Sequence, residues 1–509
     1  MARIRIGNDY TGAGALKIMK SNADDPYSTP DSERWKFLYN SKFGIQASLC
    51  DIWVVNTFQA GNGVTYYPPG SNAATFTYMS LTVAQGTLWG FRNSAFPTLR
   101  YNVPLFDVKA KKGGGSNVYN QQMVAWTDNG EYYHGQGGYY AVGNYAQMGW
   151  AENMVLNNNL GNFAYGMPII VTPNDGIDAF NKFRSRDKRL IVWNLPGNNV
   201  APDDAPVLAP NGTKTIKITS TETKIAKPGY NVDTATPQQM AFDLSKMPVK
   251  VIAAADIALP AGVSYYNTGI PLPDTVVLDV HFYDSATIMY PSNPQVLDFG
   301  AEYWFDGTNI GFNATKAMRA RFMLYLEDTS APTGGSNKPL RKFTEGGVDV
   351  VQILRPGSAD PPSWADIIVD SRRPQVQILA QGYFTFGAGN GVITDIPFDG
   401  TGMFPMVKYL THHGAGNGAS LGQTNLPMSW SAMWRLPFVK RLKYIYNGNQ
   451  AHAGESTYCE LTGNNARFVT FAGNVGDYYN RNDSPGTWRT SGAYAPVGIR
   501  YFIFGIPQP

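Results

Sequence analysis

Apolar residues along this chain recur at every second position far more often than at helical spacing. Val276, Leu278, Val280 and Phe282 alternate with Val277, Asp279, His281 and Tyr283, the pattern of an antiparallel strand with one buried face and one mixed face. Ile216 and Ile218 around Lys217, and Ile353 beside Gln352, repeat the alternation on a shorter scale. Lys227-Pro228-Gly229 and Arg355-Pro356-Gly357 supply the turns that such strands need. Helical spacing is rare. Ile177, Phe180 and Phe183 or Arg184 after Asn174-Asp175 predict one short capped helix, and the segment from Ala314 to Arg321 predicts another. The pattern gives an all-β chain with helical decoration, its sheets packed face to face as in a sandwich.

Three anchors recur in one order. Lys17-Ile18-Met19-Lys20 is followed by Ser41-Lys42-Phe43-Gly44-Ile45-Gln46 and then by Gly63-Val64-Thr65-Tyr66-Tyr67. Lys224-Ile225-Ala226-Lys227-Pro228-Gly229 leads to Ser245-Lys246-Met247-Pro248-Val249-Lys250 and Gly262-Val263-Ser264-Tyr265-Tyr266. Gln352-Ile353-Leu354-Arg355-Pro356-Gly357 leads to Ser371-Arg372-Arg373-Pro374-Gln375-Val376-Gln377 and Gly391-Val392-Ile393-Thr394. The segments also end alike: Arg189 to Pro196 and Arg500 to Pro507 read as closing strands with arginine and proline equally spaced, and Arg321 to Leu326 is a shorter version. Self-similarity of this kind bears on the architecture of the whole chain.

Residues 197–213 and 329–347 are rich in Pro, Gly, Asn and Ser, the chemistry of linkers. The expected organisation is therefore three tandem, diverged β-sandwich-like modules at 14–196, 214–328 and 348–509, with an N-terminal arm at 1–13 and Pro/Gly-rich linkers at 197–213 and 329–347. Each is of single-domain size, and 509 residues exceed what one hydrophobic core holds.

Composition agrees with this class and narrows the function. The 53 glycines and 34 prolines sit beside 30 tyrosines, 26 phenylalanines and 11 tryptophans, a mixture suited to short strands and tight turns. Charged residues make up 16% of the chain, against a usual figure of about 25%. A sparsely charged surface suits burial against neighbours. The net charge of +3 makes no long-range field, so nucleic acid is not an expected partner. The first residues have no apolar leader core, and Val249 to Val263 is broken by Lys250, Asp256 and Pro260, so neither secretion nor membrane insertion is expected.

Reactive constellations are missing from the pattern. No glycine cluster ends in the Gly-Lys-Ser/Thr that holds phosphate, and His134, His281, His412, His413 and His452 show no zinc spacing. Cys50 and Cys459 lie far apart and read as buried thiols. Glu131 with His134 reads as loop polarity, and Asp128, Asp306 and Asp399 read as turn residues, since the spaced carboxylates of a calcium loop are lacking. No catalytic residue, metal or cofactor is expected, and the protein reads as a non-enzyme.

Aromatic-rich loops carry the strongest local signal. Glu131 to Trp150 presents Tyr139, Tyr140 and Trp150 among glycines, Asp477 to Tyr494 presents Tyr478, Tyr479 and Trp488, and a third cluster surrounds Tyr303, Trp304 and Phe305. Tyr and Trp offer rigid amphipathic contact area, so Tyr139, Tyr140, Trp150, Tyr478, Tyr479 and Trp488 are candidate contacts for a ligand or receptor. The same aromatics also suit cores and subunit contacts.

Lys224 to Val232, K-I-A-K-P-G-Y-N-V, followed by Phe242-Asp243-Leu244-Ser245, resembles a motif of small virion proteins of tailed bacteriophages, similar to tail-tip, minor tail or fibre components. Arg355-Pro356-Gly357 with Asp370-Ser371 carries it more weakly, and Ser21-Asn22 replaces Pro-Gly in the first copy. The resemblance covers the repeat cores only. It implies a structural protein made in the host cytoplasm and carried on the virion, in contact with other virion proteins, forming a homo-oligomer and meeting a host surface glycan or receptor. A head decoration or vertex/collar protein, and a bacterial carbohydrate-binding multidomain protein, are the alternatives.

Overall fold

A computed structural model describes residues 3–42, 208–417 apart from short internal stretches, 457–471 and 496–508, with the backbone of paired strands in 51–194 and 429–489. The fold is all-β and sandwich-like, and every strand pairing described is antiparallel. The helical elements among the described residues are single 3-10 turns at Arg34–Lys36 and Trp364–Asp366.

One three-stranded sheet occurs three times. Ile4–Asn8, Gly14–Met19 and Phe37–Asn40 form the first, Ile216–Ile218, Thr223–Ala226 and Met240–Asp243 the second, and Leu340–Glu345, Val348–Leu354 and Ile367–Asp370 the third. Ile18, Ile225 and Ile353 face Ile4, Ile216 and Leu340 across the first pairing, and a bulge follows each of those isoleucines in the second. Backbone bonds repeat too. The N–H groups of Ser41, Leu244 and Ser371 donate to the carbonyls of Leu16, Thr223 and Val351 at 2.9 Å in each case. Leu244, one residue before Ser245, thus occupies the position that Ser41 and Ser371 hold in the other two sheets.

The Pro-Gly turns form as the residues dictate. Proline sets φ for the second position of a tight turn, and the third position needs positive φ, which glycine adopts without a Cβ penalty. Gly229 and Gly357 both lie at φ 83°, and Tyr230 and Ser358 donate back to Lys227 and Arg355 at 3.1 and 3.3 Å.

These small sheets share one core. Leu16, Ile18 and Tyr39 pack with Ile225, Phe242 and Leu244 and with Ile353, Ile368 and Val369. Tyr39 and Phe242, which occupy matching positions, meet edge to face at 6.1 Å.

Each small sheet runs on into a wide sheet whose closing strand is central. Lys188–Asn194 lies between Asp51–Asn56 and Leu105–Ala110, Met318–Leu326 between Lys250–Leu259 and Val276–Tyr283, and Pro496–Pro507 between Gln377–Thr385 and Met403–His413. The second and third wide sheets enclose a common core of Val, Leu, Ile and Phe side chains.

Three outer sheets take strands from neighbouring segments, and the second and third of them pack on the core of the wide sheets. Gly262–Asn267, Asn309–Ala314 and Gly300–Asp306 accept Val118–Gln122 from the first segment as a fourth strand. Asn390–Pro397, Asn465–Phe471 and Tyr458–Leu461 accept Ile288–Tyr290 from the second. Asn62–Tyr67, Phe76–Leu81 and Trp89–Asn93 join Ala432–Arg435 of the third, which also pairs with Met403–His413 of its own segment, so the first outer sheet and the third wide sheet form one seven-stranded sheet. Donation runs first to second, second to third and third to first. An unpaired edge exposes a row of N–H and C=O groups, and the donated strand satisfies one such row in every outer sheet.

Four sequence expectations change. Ile4–Asn8 in the stretch read as an arm, and Leu340–Glu345 in the stretch read as a linker, are strands, each the edge of a small sheet. Ala314 to Arg321 is the end of one strand and the start of the next rather than a helix, because both strands pair along their length. Val276–Tyr283 is buried on both faces, not one. The helix expected from Ile177 to Arg184 lies outside the described residues.

A Cβ on Gly229 would lie 2.5 Å from Leu208 Cβ in a backbone conformation that resists side chains. Gly229→Ala should therefore lower stability by about 2 kcal/mol. Gly212→Ala, at φ +76° with nothing within 4 Å, should cost about 1 kcal/mol. Urea denaturation of the two variants measures the difference.

Candidate functional site

The wide sheets meet through residues in matching positions. Two residues beyond the closing arginine, Ile191 pairs with Asp107, Met323 with Asp279 and Phe502 with Lys408. Lys408 Nζ lies 2.5 Å from Asp279 Oδ2, with both side chains buried. The position reads as one face of a solvated strand in sequence, and only the second sheet's burial makes its charge a fixed component of the seam.

Two closing arginines, Arg321 and Arg500, are buried as well. Arg321 bonds Asp256 Oδ2 at 3.0 Å, donates to the Pro405 carbonyl of the third segment and lies 3.8 Å over the Phe404 ring. Arg500 donates to the carbonyls of Gly382 and Tyr501 at 2.9 and 3.0 Å and covers Phe502 at 4.1 Å. A guanidinium has five donors, so it can enter a core where several carbonyls converge.

Tyr290, on the strand that the second segment donates, is held on three sides. Its carbonyl accepts from the Tyr409 hydroxyl at 3.1 Å, its own hydroxyl reaches Met406 Sδ at 3.2 Å, and His281 stacks on its ring at 4.2 Å. Burial pushes its phenol upward from the ordinary tyrosine range.

A second charge cluster pins the first small sheet. Lys17 contacts Asp9 at 2.7 Å and Asp31 at 2.9 Å, and Lys42 contacts the same carboxylates at 2.5 and 2.7 Å. Burial raises the Asp9 carboxyl, but hydrogen bonds from Lys17, Lys42 and Thr11 outweigh it and hold the group well below the usual carboxylate range. Asp31 is lowered by the same opposition of burial and lysine contacts. In the third sheet, burial of Asp370 is outweighed by Arg372 at 2.6 Å and Gln352 at 2.7 Å, and its carboxyl is lowered.

These groups serve packing. Burial pushes the Cys459 thiol well up, and burial with the Asp256 carboxylate pushes the Tyr283 phenol up to about 12, opposite to the shift that activates a nucleophile. Among the described residues no group of three His, Cys, Asp or Glu could hold a metal ion, and no helix is long and apolar enough to cross a membrane. His412 stacks on Trp434 at 4.2 Å and bonds Tyr383, while His413 contacts Thr411. Asp306 closes a hairpin through Gly307, and Asp399 Oδ1 accepts from the Thr401 N–H at 3.1 Å. Cys50, Asp128, Glu131 and His134 lie outside the described residues.

The aromatic candidates separate. Tyr139 and Tyr140 lie outside the described residues. Trp150 begins the strand Trp150–Met154 opposite Tyr145. Tyr478 and Tyr479 pair with Arg489 and Trp488, so three of the six candidates share one short hairpin. The third cluster splits across its strand: Tyr303 is a core residue, Phe305 packs against that core, and Trp304 lies on the opposite face beside Tyr265. Tyr265 was within the repeat but not singled out by sequence; the signal was a tyrosine on the outward parity of a strand facing a glycine.

No protein-family model matches the chain, and no curated protein or solved structure matches it.

Asp279→Asn or Lys408→Met alone should lower stability by about 3 kcal/mol, because each leaves an uncompensated buried group, whereas Asp279→Leu with Lys408→Met should recover most of the loss. Chemical denaturation of the single and double variants gives the coupling. Depressed carboxyls contribute stability that is present above the unfolded carboxyl pKa of about 4 and is lost as pH falls through the folded values. With Asp9, Asp31 and Asp370 all lowered, the urea midpoint should be level from about pH 7 to 5 and fall steadily below about pH 4.

Proposed function

We propose that the chain is a structural component of a tailed-phage virion, a tail-fibre or tail-tip protein that serves assembly and attachment to the host surface. The cyclic exchange of strands carries the structural half of this reading. A protein whose segments close one another's sheets, and whose buried charges are spent on seams, is organised to hold a shape under load.

The three strand sets read as diverged copies of one β-sandwich-like unit wound about a common pseudo-threefold axis. Lys224 to Val232 ties the chain to virion proteins by resemblance, and low charge favours burial against other virion proteins and further copies of itself. The hairpin bearing Tyr478, Tyr479 and Trp488 supports the attachment half. The protein would be made in the host cytoplasm and act without a cofactor.

Antibody labelling of purified virions, viewed by electron microscopy, should mark the distal tail. Uniform labelling of the capsid would replace this reading with a head decoration or vertex protein, and particles without label would end it.

A further inference from the structure

The outward face of the second outer sheet holds an aromatic corner. Gly311, at the centre of Asn309–Ala314, pairs with Tyr265 on one side and Trp304 on the other. A Cβ at Gly311 would lie 2.2 Å from Trp304 Cε2, so the indole lies across the glycine where any side chain would displace it. Tyr265 meets that indole at 90° with ring centroids 5.8 Å apart, and it is 58% exposed. On the inward face of the same strands, Ile310, Phe312 and Tyr303 are buried, so the outward residues are not needed to fill the core.

A polar row bounds the corner on one side and a mixed row on the other. Asn309 pairs with Asn267 and Asp306 on one side of the aromatic row, and Asn313 pairs with Val263 on the other. The fold does not demand the aromatics. In the third outer sheet, the corresponding row is Asp395, Arg467 and Glu460, counted back from the matching pairs Asn267 with Asn309 and Pro397 with Asn465. There Arg467 bonds Asp395 at 2.9 Å, an exposed ion pair. One backbone position thus takes Tyr-Gly-Trp in one sheet and Asp-Arg-Glu in another, which leaves the aromatic choice to a ligand.

We propose that Trp304 and Tyr265 bind a pyranose of a surface polysaccharide. A pyranose has an apolar C–H face that stacks on an aromatic ring and an equatorial rim of hydroxyls that both donate and accept. The two rings stand at right angles, and Asn309 and Asp306, in the row beside them, carry an amide and a carboxylate. A protein partner is the poorer fit, since a stable interface needs about 800 Å² on each side with an apolar centre, and among the described residues of this sheet the large apolar side chains that are exposed are Val263 and Tyr265. This deepens the attachment half of the proposed function and rests on it for the source of the glycan.

The test uses the purified full chain on an array of bacterial O-antigen, capsular and cell-wall oligosaccharides. The wild-type protein should bind a subset, Trp304→Ala and Tyr265→Ala should each weaken that binding at least about tenfold, and Trp304→Phe should retain part of it. Asp395→Ala, in the matching row of the third sheet, should bind as wild type, and circular dichroism of each variant should be unchanged. Binding to no oligosaccharide, or binding kept by both alanine variants, overturns the inference; so does loss confined to Trp488→Ala, which would move the site to the hairpin. None of these results alters where antibody labelling finds the protein, so the two proposals fail separately.

Discussion

A β-sheet is stable only where its edges are dealt with, because each edge strand carries backbone donors and acceptors that water must otherwise satisfy. In this chain that constraint is met by trading strands. Val118–Gln122 and Ile288–Tyr290 leave the segment that encodes them and complete the outer sheet of the next, and Ala432–Arg435 bridges from Met403–His413 of its own segment to Trp89–Asn93 of the first. The exchange runs in one direction around the molecule and returns to its start. No segment can then be lifted away without opening two sheets, its own and the one it completes.

Burial of charge follows from that weave. Strands that would be half-solvated in an isolated sandwich are covered on both faces once neighbouring segments close over them, as Val276–Tyr283 is. Asp279 can stay ionised there because Lys408 of the next segment reaches it, and Arg321 can enter the core because Asp256 and the Pro405 carbonyl receive its donors. Such pairs add little net stability over an apolar filling, but they penalise any arrangement that separates the partners. They therefore specify how the segments sit together more than how tightly.

Core packing and the proposed sugar site occupy opposite faces of the same strands. In the second outer sheet, Tyr303 and Phe312 hold the core while Trp304, half-buried over Gly311, and the exposed Tyr265 lie on the other face. The two-residue period of a strand makes this separation possible, since the faces can diverge independently. The third sheet keeps the inward pattern, with Cys459, Phe468 and Ala466 buried, yet carries an ion pair outward.

The sequence by itself determined the all-β class, the Pro-Gly turns and the recurrence of the Lys-Ile and closing-strand patterns, because alternation, φ preference and turn chemistry are local. Ile18, Ile225 and Ile353 were legible as equivalent for that reason, and the structure gives them matching registers. Tertiary structure alone decided which strand completes which sheet. It also decided that Asp279 is buried, that Ile4–Asn8 and Leu340–Glu345 are sheet edges rather than arm and linker, and that Trp304 rests on Gly311. Those outcomes depend on pairing between residues far apart in the chain, and a strand's own pattern says which face is apolar but not what will cover the other.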